Sequence, residues 1–426
     1  MPTYSERRKQ AVAVIESLRA GIPTRASTQA LPDLRKTLIQ NIEQDLSRLA
    51  GGNPPPGRLL WGAYGQGKTH ALTAVEHLAL DEGFAVSRLS LSREVSCHHL
   101  FNFYGRVAIA IRTPDSQIPG IQQALDRKEP GDLIDSPILK PGRYSHPLPA
   151  IVLEDYFYAA GEDRDLLYGD LMGTRLSMPE LRRMHRLNRG EIMPRFEENF
   201  RVAQHASAYF GLMADALVWC GYKGWVILID EVELVGRLGR VSRLQAYRNL
   251  NWLLNWSKTL PYPIYTLGVV ASSLRNDVWF SGAGTTEAKP KGRQTRIDSV
   301  QIPALAAERC GPELALEMEN FFKMAINSRQ CPSIKLIQTK DLLSLLKSLQ
   351  ELHGIAYDWS AQLDVENLLR TVKEAGSQPI RTYIRAALEV LDIAYVYHEA
   401  IDLRVDTLQE TTLTEDEGYF TDDNEA

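Results

Sequence analysis

Apolar residues in the first fifty positions recur at the spacing of helices. The apolar face of a first helix holds Ala11, Val14, Ile15 and Leu18. The sequence Gly21-Ile22-Pro23 ends this helix, and a second helical pattern follows Pro32. Residues 51–57 are rich in glycine and proline, which is typical of a linker. The pattern therefore predicts an N-terminal helical region over residues 1–49.

Short apolar runs alternate with helical patterns over residues 50–303. The apolar runs that predict strands are residues 58–61, 84–91, 225–229, 264–270 and 297–302. The helical patterns between them are residues 68–80, 99–112, 196–219 and 242–256. Strands that alternate with helices predict an α/β fold, in which helices cover both faces of a parallel sheet.

Three regions depart from this alternation. Prolines interrupt the pattern over residues 113–194, which we interpret as a partly ordered insertion in the α/β core. It contains one short predicted helix, which starts at Ser177 and has the capping-box residue Glu180 three positions later. Only helical patterns follow over residues 304–402, which predicts an all-helical lid. Residues 403–426 are acidic and polar, which is typical of a disordered tail.

Composition narrows the class of protein. The 426 residues are 44% hydrophobic and 24% charged, as in globular proteins. No run approaches the roughly 18 apolar residues of a membrane-spanning helix, and the polar first ten residues carry no secretory signal. Four widely spaced cysteines favour reduced thiols in the cytoplasm over zinc or disulfides. A net charge of −5 does not suit a protein that coats DNA, but it leaves room for a local basic patch.

A glycine-rich segment has the pattern GxxxxGK[ST]. Its residues are Gly62, Ala63, Tyr64, Gly65, Gln66, Gly67, Lys68 and Thr69. The segment follows a predicted strand and opens a predicted helix, as a phosphate-binding P-loop does. We expect its backbone N–H groups to surround a β-phosphate, Lys68 to reach the β- and γ-phosphates, and Thr69 to bind Mg²⁺. The alternative is a glycine turn that ends in Lys-Thr by chance.

Two carboxylates, Asp230 and Glu231, follow the predicted strand 225–229. A buried parallel strand delivers its last residue to the sheet edge where ligands bind. We expect Asp230 to hold Mg²⁺ through water and Glu231 to polarise an attacking water. An ordinary acidic loop is the alternative, and the P-loop upstream makes it less favoured.

Three polar residues are candidates for contacting a γ-phosphate. Ser272 and Ser273 follow the predicted strand 264–270, and a simple strand-end cap is their alternative role. Arg381 begins the last long helix of the lid, from which an arginine can reach back to the γ-phosphate. A solvated first-turn arginine is the alternative.

Other arginines are candidates for a finger that completes the site of a neighbouring subunit. They are Arg275, Arg293 and Arg296 after the fourth predicted strand, and Arg243 and Arg248 after Asp230–Glu231. Each is alternatively a solvated charge. Because such fingers act across a subunit interface, they predict a homo-oligomer.

Two basic clusters are candidates for contacting DNA. The first, residues 182–189, holds Arg182, Arg183, Arg186 and Arg189, and the second is residues 289–296. Neither has interleaved aromatic residues, so phosphate contact is favoured over base stacking. A solvated face is the alternative, and it is the more frequent role of such clusters.

The order of these elements resembles AAA+ ATPases, in particular their origin-recognition branch. The chain more closely resembles the bacterial BREX-type ATP-binding family. The segments that carry this likeness are residues 15–23, 62–70, 221–224, 230–233 and 378–381. The resemblance implies a P-loop ATPase that binds ATP and Mg²⁺, with nucleotide-contacting residues that extend to His70. It also implies phage defence beside helicase-like or methylation partners.

We therefore expect Mg²⁺-dependent ATP hydrolysis that drives conformational or assembly changes in a phage-defence complex acting on DNA. The alternative is a nucleotide-bound switch or scaffold that loads a partner protein with little or no turnover. A signal-transducing NTPase of the STAND type is a weaker alternative, because the sequence shows no repeat or effector module. No base-reading motif separates ATP from GTP, so the preference for ATP comes from the resemblance.

Overall fold

The computed structural model describes residues 4–21, 24–32, 35–64, 66–116, 118–134, 136–258, 260–280, 297–334, 338–374 and 380–397. Some predicted features lie outside these residues: Gly65, Arg293, Arg296, the basic cluster 289–296 and the acidic tail 403–426. Of the likeness-carrying segment 378–381, Ile380 and Arg381 are described.

Helices make up most of the described structure. The α-helices are α1 (Tyr4–Ala20), α2 (Arg25–Ala30), α3 (Lys36–Ala50), α4 (Lys68–Asp81), α5 (Leu100–Ile109), α6 (Gln122–Leu125), α7 (Pro130–Ile134), α8 (Leu148–Tyr158), α9 (Gly161–Leu171), α10 (Met178–Arg189), α11 (Val202–Trp219), α12 (Arg240–Leu253), α13 (Asp298–Cys310), α14 (Pro312–Ile326), α15 (Thr339–Tyr357), α16 (Val365–Glu374) and α17 (Ile380–Tyr397). Pro137–Leu139 and Val232–Arg237 are 3₁₀ helices, and Leu274–Trp279 is a π-helix. None of the helices in this part of the chain is both long and apolar enough to cross a membrane.

The strands are β1 (Arg58–Gly62), β2 (Ala85–Ser90), β3 (Ile111–Arg112), β4 (Trp225–Asp230) and β5 (Ile264–Ala271). The chain forms two compact units. Residues 1–41, 61–77 and 333–426 form the first unit, and residues 42–60 and 78–332 form the second. The predicted P-loop therefore belongs to the first unit, and Asp230–Glu231 belong to the second.

In the first unit, helices from distant parts of the sequence share one hydrophobic core. The predicted apolar face of α1 is buried, and Ile15 is completely inaccessible. This face packs against α15 and α17, and α16 packs against both of these helices. Leu345, Leu346 and Leu349 of α15 are buried in this core. The apolar stripe of α1 is thus an internal surface of this unit.

Hydrogen bonds also join these helices. Arg19 of α1 is ion-paired with Asp392 of α17. The buried His353 of α15 donates through Nε2 to Asp392 Oδ1 at 2.9 Å, while its Nδ1 accepts the indole N–H of Trp359 at 2.9 Å. Burial lowers the pKa of His353, so the neutral imidazole is the form that makes both bonds.

The second unit is built on a five-stranded sheet with the order β1-β5-β4-β2-β3. The strands β2, β4 and β5 run parallel, with Ser90 opposite Asp230 and Ile229 opposite Gly268. All six residues of β4 are buried, as expected for a strand inside a sheet that is covered on both faces. The mixed α/β architecture with a mostly parallel sheet is therefore confirmed.

A buried polar cluster fixes the start of β1 within the second unit. Arg58 donates from Nε to Asp45 Oδ2 of α3 at 2.6 Å, and the Tyr265 hydroxyl of β5 donates to the same oxygen at 3.0 Å. Burial, with the Asp45 carboxylate beside it, raises the pKa of Tyr265 well above its ordinary value. The tyrosine therefore stays a hydrogen-bond donor at every physiological pH.

The predicted strand 297–302 is wrong, because these residues belong to α13. Asp298, Ile302 and Leu305 face the core at helical spacing, while Val300 is exposed. A run of six residues with three apolar positions fits both periods, so its pattern could not separate a strand from a helix turn. The remaining strand of the sheet is β3, which pairs antiparallel with β2 and has only two residues.

The insertion 113–194 is more helical than the sequence predicts. The predicted helix is confirmed as α10, and its capping box is formed: Glu180 N donates to Ser177 Oγ at 3.4 Å and Ser177 N donates to Glu180 Oε2 at 2.9 Å. The helices α6 to α9 were not predicted. The sequence pattern predicts that prolines interrupt this region, but Pro130, Pro137 and Pro149 lie at the beginnings of helices, where proline costs no hydrogen bond.

Replacing Ile15 tests the shared core of the first unit. We expect Ile15→Ala to lower the free energy of unfolding by about 2–5 kcal/mol, because it leaves a cavity in a packed interior. Chemical denaturation of the whole chain measures the change. The matched control is Ile355→Ala on α15, where the side chain is 41% exposed. Equal effects of the two substitutions would contradict this account of the core.

Candidate nucleotide site

The predicted P-loop connects β1 to α4 in the first unit. Gly62 is buried at the end of β1, and Lys68 is the first residue of α4. Gly67 has φ +78°, and a β-carbon there would lie 3.3 Å from Arg35 Nη2. Both the left-handed backbone and the close neighbour require glycine at this position. The strand, the tight loop and the helix occur in the order that the motif predicts.

The side chain of Gln66 forms a hydrogen bond across the loop to which it belongs. Its Oε1 accepts the backbone N–H of Ala63 at 2.9 Å, and the backbone N–H of Gln66 donates to the Ala63 carbonyl at 3.4 Å. A β-carbon on Gly62 would lie only 2.7 Å from Gln66 Oε1, so a larger residue at this position would displace the Gln66 side chain. Tyr64, at the tip of the loop, is 75% exposed.

Three side chains of the first turn of α4 carry the predicted phosphate and metal chemistry. Lys68 Nζ donates to the carbonyls of Gly62 at 3.2 Å and Ala63 at 3.1 Å, so its charge lies over the loop. Thr69 is exposed, and His70 is half-buried. The loop therefore holds an ammonium group and a hydroxyl next to a helix N-terminus, which together suit an anion and its cation.

Arg35 contacts the loop and was missed by the sequence analysis. It precedes α3, and its Nη2 donates to the carbonyl of Gln66. Ile380, the first residue of α17, also approaches the loop: a β-carbon at Gly67 would lie 3.9 Å from its Cγ2. The predicted second helix after Pro32 gave no signal for Arg35, because the contact spans 31 positions of sequence.

Arg381 lies at the turn that follows α1. Its exposed guanidinium donates from Nη2 to the carbonyl of Gly21 at 3.4 Å, and Gly21 has φ +69°. A β-carbon at Gly21 would lie 3.3 Å from Arg381 Cζ, so glycine also makes room for the arginine. The contact of Arg381 with a γ-phosphate remains a prediction.

In the second unit, Asp230 ends β4 at the carboxyl edge of the parallel strands. Asp230 is 7% exposed, and its Oδ1 accepts the backbone N–H of Glu231 at 3.0 Å. Glu231 is exposed and has φ +55°, ψ +38°, a left-handed conformation that is uncommon for a residue with a β-carbon. This conformation turns the chain abruptly at the sheet edge. Such strain is frequent at functional sites.

Glu233, two residues further along, links this turn to the end of β5. Its Oε2 accepts the backbone N–H of Ala271 at 3.1 Å. Ser272 and Ser273 follow directly, half-buried and exposed respectively, before the π-helix Leu274–Trp279. The structure therefore brings Ser272 and Ser273 to the same edge of the second unit as Asp230–Glu231. The acidic residue that makes this link was not singled out from the sequence.

The finger candidates differ in how exposed they are. Arg243 is 2% exposed and lies 3.4 Å from Asp298 in a buried ion pair, so its prediction as a finger is wrong: its charge is used inside its own chain. Arg248 is exposed. Arg275 is half-buried, and its guanidinium lies 5.6 Å from the ring centre of Phe280.

The basic cluster 182–189 is partly neutralised within the second unit. Arg183 is paired with Asp163 at 3.4 Å. Arg189 is paired with Glu154 at 2.6 Å and also stacks on an aromatic ring. Arg182 and Arg186 are exposed on α10. Two of the four arginines thus remain as surface charges that could contact phosphates.

The described residues contain no group of three or more His, Cys, Asp or Glu side chains that could hold a metal ion. Mg²⁺ that arrives with a nucleotide keeps water and phosphate ligands and needs only one or two protein oxygens. The Thr69 hydroxyl in the first unit and the Asp230 carboxylate in the second unit are each an oxygen donor of the kind that Mg²⁺ prefers. Each by its chemistry fits a nucleotide-borne Mg²⁺, and the binding of Mg²⁺ remains a prediction.

These features describe a mixed α/β protein. Its strand β1 lies at the edge of the sheet and leads into a loop that has the P-loop sequence. Residues 6–127 match the family model of the BREX system ATP-binding protein BrxC/D. No curated protein and no solved structure matches the chain significantly. The resemblance to the BREX ATP-binding family is thus confirmed over a segment that contains the loop and Arg35 but ends before Asp230.

The left-handed conformation of Glu231 can be tested separately from its chemistry. Glu231→Gly should raise the free energy of unfolding by up to about 1 kcal/mol, because glycine adopts this conformation without strain. The matched control is Lys258→Gly, since Lys258 is exposed and has φ +56°; it should gain stability for the same reason. If Glu231→Gly lost stability while Lys258→Gly did not, the inference that the backbone of Glu231 is strained would be contradicted.

Proposed function

We propose that the chain is a Mg²⁺-dependent ATPase of a bacterial phage-defence system. The observation that carries the proposal is the loop between β1 and α4, where Lys68 lies over the carbonyls of Gly62 and Ala63 and Gly67 is left-handed. A loop of this kind offers backbone N–H groups and an ammonium group to phosphates. The family match, which includes the loop, supports ATP as the ligand.

Binding is the task of the first unit in this proposal. Lys68 exchanges two neutral carbonyl acceptors for β- and γ-phosphate oxygens, and the exchange is favourable because charged acceptors form stronger bonds with an ammonium group. Thr69 would offer its hydroxyl to Mg²⁺, whose charge would offset the negative charge of the phosphates when it is bound. Arg381 supplies a second positive charge to the γ-phosphate from the start of α17. His70 completes the nucleotide-contacting segment.

Hydrolysis in this proposal uses residues outside the loop. Asp230 would hold Mg²⁺ through its water ligands, and Glu231 would orient and polarise the attacking water. Ser272 and Ser273 provide hydroxyl groups for the γ-phosphate or this water. The link from Glu233 to Ala271 N supports these roles, because it fixes the serine segment relative to the turn that carries Glu231.

The cellular role in this proposal extends the resemblance to the BREX ATP-binding family. We place the protein in the cytoplasm as a homo-oligomer that works with helicase-like or methylation partners on DNA. Its four free cysteines are consistent with a reducing compartment. Arg248 and Arg275 are the described finger candidates that remain. The alternative function is a nucleotide-bound switch that turns over little or no ATP. In that alternative, Glu231 has no catalytic role.

Two substitutions separate ATP binding from ATP hydrolysis. Lys68→Ala should weaken ATP binding roughly 10- to 100-fold, because it removes charge-assisted bonds to phosphate. Glu231→Gln should keep the affinity and lower turnover roughly 100-fold or more, because an amide cannot act as a general base. Titration calorimetry and phosphate release measure the two quantities.

The exposed residues Lys340 and Glu308 provide matched controls. Lys340→Ala should bind ATP like the parent, and Glu308→Gln should hydrolyse it like the parent. If the parent binds ATP but Glu231→Gln releases phosphate at the parent rate, Glu231 has no catalytic role and the switch becomes the better account. If the parent binds no nucleotide, the proposed function fails.

Contact with DNA is tested on α10. Arg182→Glu combined with Arg186→Glu should weaken binding to duplex DNA, and the slope of log affinity against log salt should flatten by about 0.9 for each lost phosphate contact. The control combines Arg309→Glu with Arg329→Glu, which changes the same charge at two exposed arginines elsewhere in the second unit. Equal slopes of log affinity against log salt in the two double variants would mean that α10 is only a solvated surface and does not contact DNA.

A further inference from the structure

Arg35 has a contact with the phosphate loop that its place in the sequence does not explain. The arginine precedes α3, yet its Nη2 donates to the carbonyl oxygen of Gln66 inside the loop. The same nitrogen lies 3.3 Å from where a β-carbon of Gly67 would be. A charged donor is therefore held against the peptide that joins Gln66 to Gly67.

The geometry of that peptide determines what the contact does. The bond is trans, so the Gln66 carbonyl and the Gly67 N–H point in opposite directions. Because the carbonyl is held by Arg35, the N–H points away from Arg35. Without this bond the peptide could rotate, and a carbonyl turned toward a phosphate would repel the anion that the N–H attracts.

The hydrogen bonds of the loop leave the Gly67 N–H as an available donor. The Ala63 N–H is bonded to Gln66 Oε1, and the Gln66 N–H is bonded to the Ala63 carbonyl. Within the described residues, the Gly67 N–H has no backbone acceptor. Phosphate oxygens are strong acceptors, and P-loops hold them through such backbone groups.

We infer that Arg35 is a positioning residue of the nucleotide site: it holds the Gln66 carbonyl so that the Gly67 N–H is directed at the phosphates. The inference rests on the proposed function and adds to it a residue outside the P-loop motif. Arg35 acts through the loop backbone and not by touching the nucleotide. Backbone N–H groups of such loops surround the α- and β-phosphates, so ADP and ATP benefit equally.

Binding measurements with several ligands test this role without turnover. In Arg35→Ala, the dissociation constants of ADP and ATP should rise by the same factor, roughly 10- to 100-fold for one bond to a charged group. Inorganic pyrophosphate, used as a competitor, should lose the same factor, and adenosine should lose none. Arg35→Lys should recover part of the affinity, because an ammonium group also donates to a carbonyl.

The control is Lys36→Ala, which removes an equal charge from the neighbouring exposed position. It should bind ADP like the parent. Parent-like ADP affinity in a folded Arg35→Ala would overturn the inference and leave the proposed function standing. A loss for ATP without a loss for ADP would also overturn it, since that pattern means direct contact with the γ-phosphate. If the parent binds no ADP, the proposed function itself has failed.

A second measurement needs no variant and so does not depend on whether Arg35→Ala folds. With ¹⁵N-labelled glycine, the amide resonance of Gly67 should shift on adding ADP and on adding pyrophosphate, and its exchange with solvent should slow. Adenosine should leave it unchanged. A Gly67 amide that does not respond to ADP, in a chain that binds ADP, contradicts the inference.

Discussion

The packing of α1 against α15 and α17 is the interaction on which the first unit depends. Helices in proteins gain most of their stability from the packing of an apolar face, so α1 depends on the face centred on Ile15. The same packing unites the N-terminal and C-terminal segments that reach the loop. Arg35 comes from the first of these segments and Ile380 from the second, and both approach Gly67. The loop is therefore shaped by residues that are far from it in sequence.

Patterns of local origin could be predicted well. The apolar stripe of α1, the capping box of α10 and the buried strand β4 depend on residues only a few positions apart, and the structure has all three. The strand prediction for residues 297–302 failed because six residues are too few to distinguish the period of a strand from that of a helix. The prediction for the insertion failed for a different reason. A proline that begins a helix and a proline that interrupts one look the same in a sequence.

In the candidate site, too, the residues of local motifs could be predicted and the contacts between distant residues could not. Gly62–Thr69 and Asp230–Glu231 could be identified because the motif and the strand end are local, and their chemistry remains a proposal. The supporting contacts could not be identified. Arg35 bonds to Gln66, and Glu233 bonds to Ala271, over 31 and 38 positions respectively. No periodicity marks a side chain whose partner is a backbone atom on another element. The burial of Arg243, which removes it from the finger candidates, likewise depends on the distant Asp298.

The composition of the first unit from separate stretches of sequence has a consequence for biosynthesis. Residues 61–77 emerge from the ribosome early, but the segment from residue 333 onward, with which they form one unit, is made more than 250 residues later. At roughly 5–20 residues per second, this delay is on the order of ten seconds to a minute. Closing so long a stretch of chain is also entropically slow compared with local folding. The second unit can therefore form during translation, whereas the approach of α17 to the loop forms only in chains whose synthesis has reached α17.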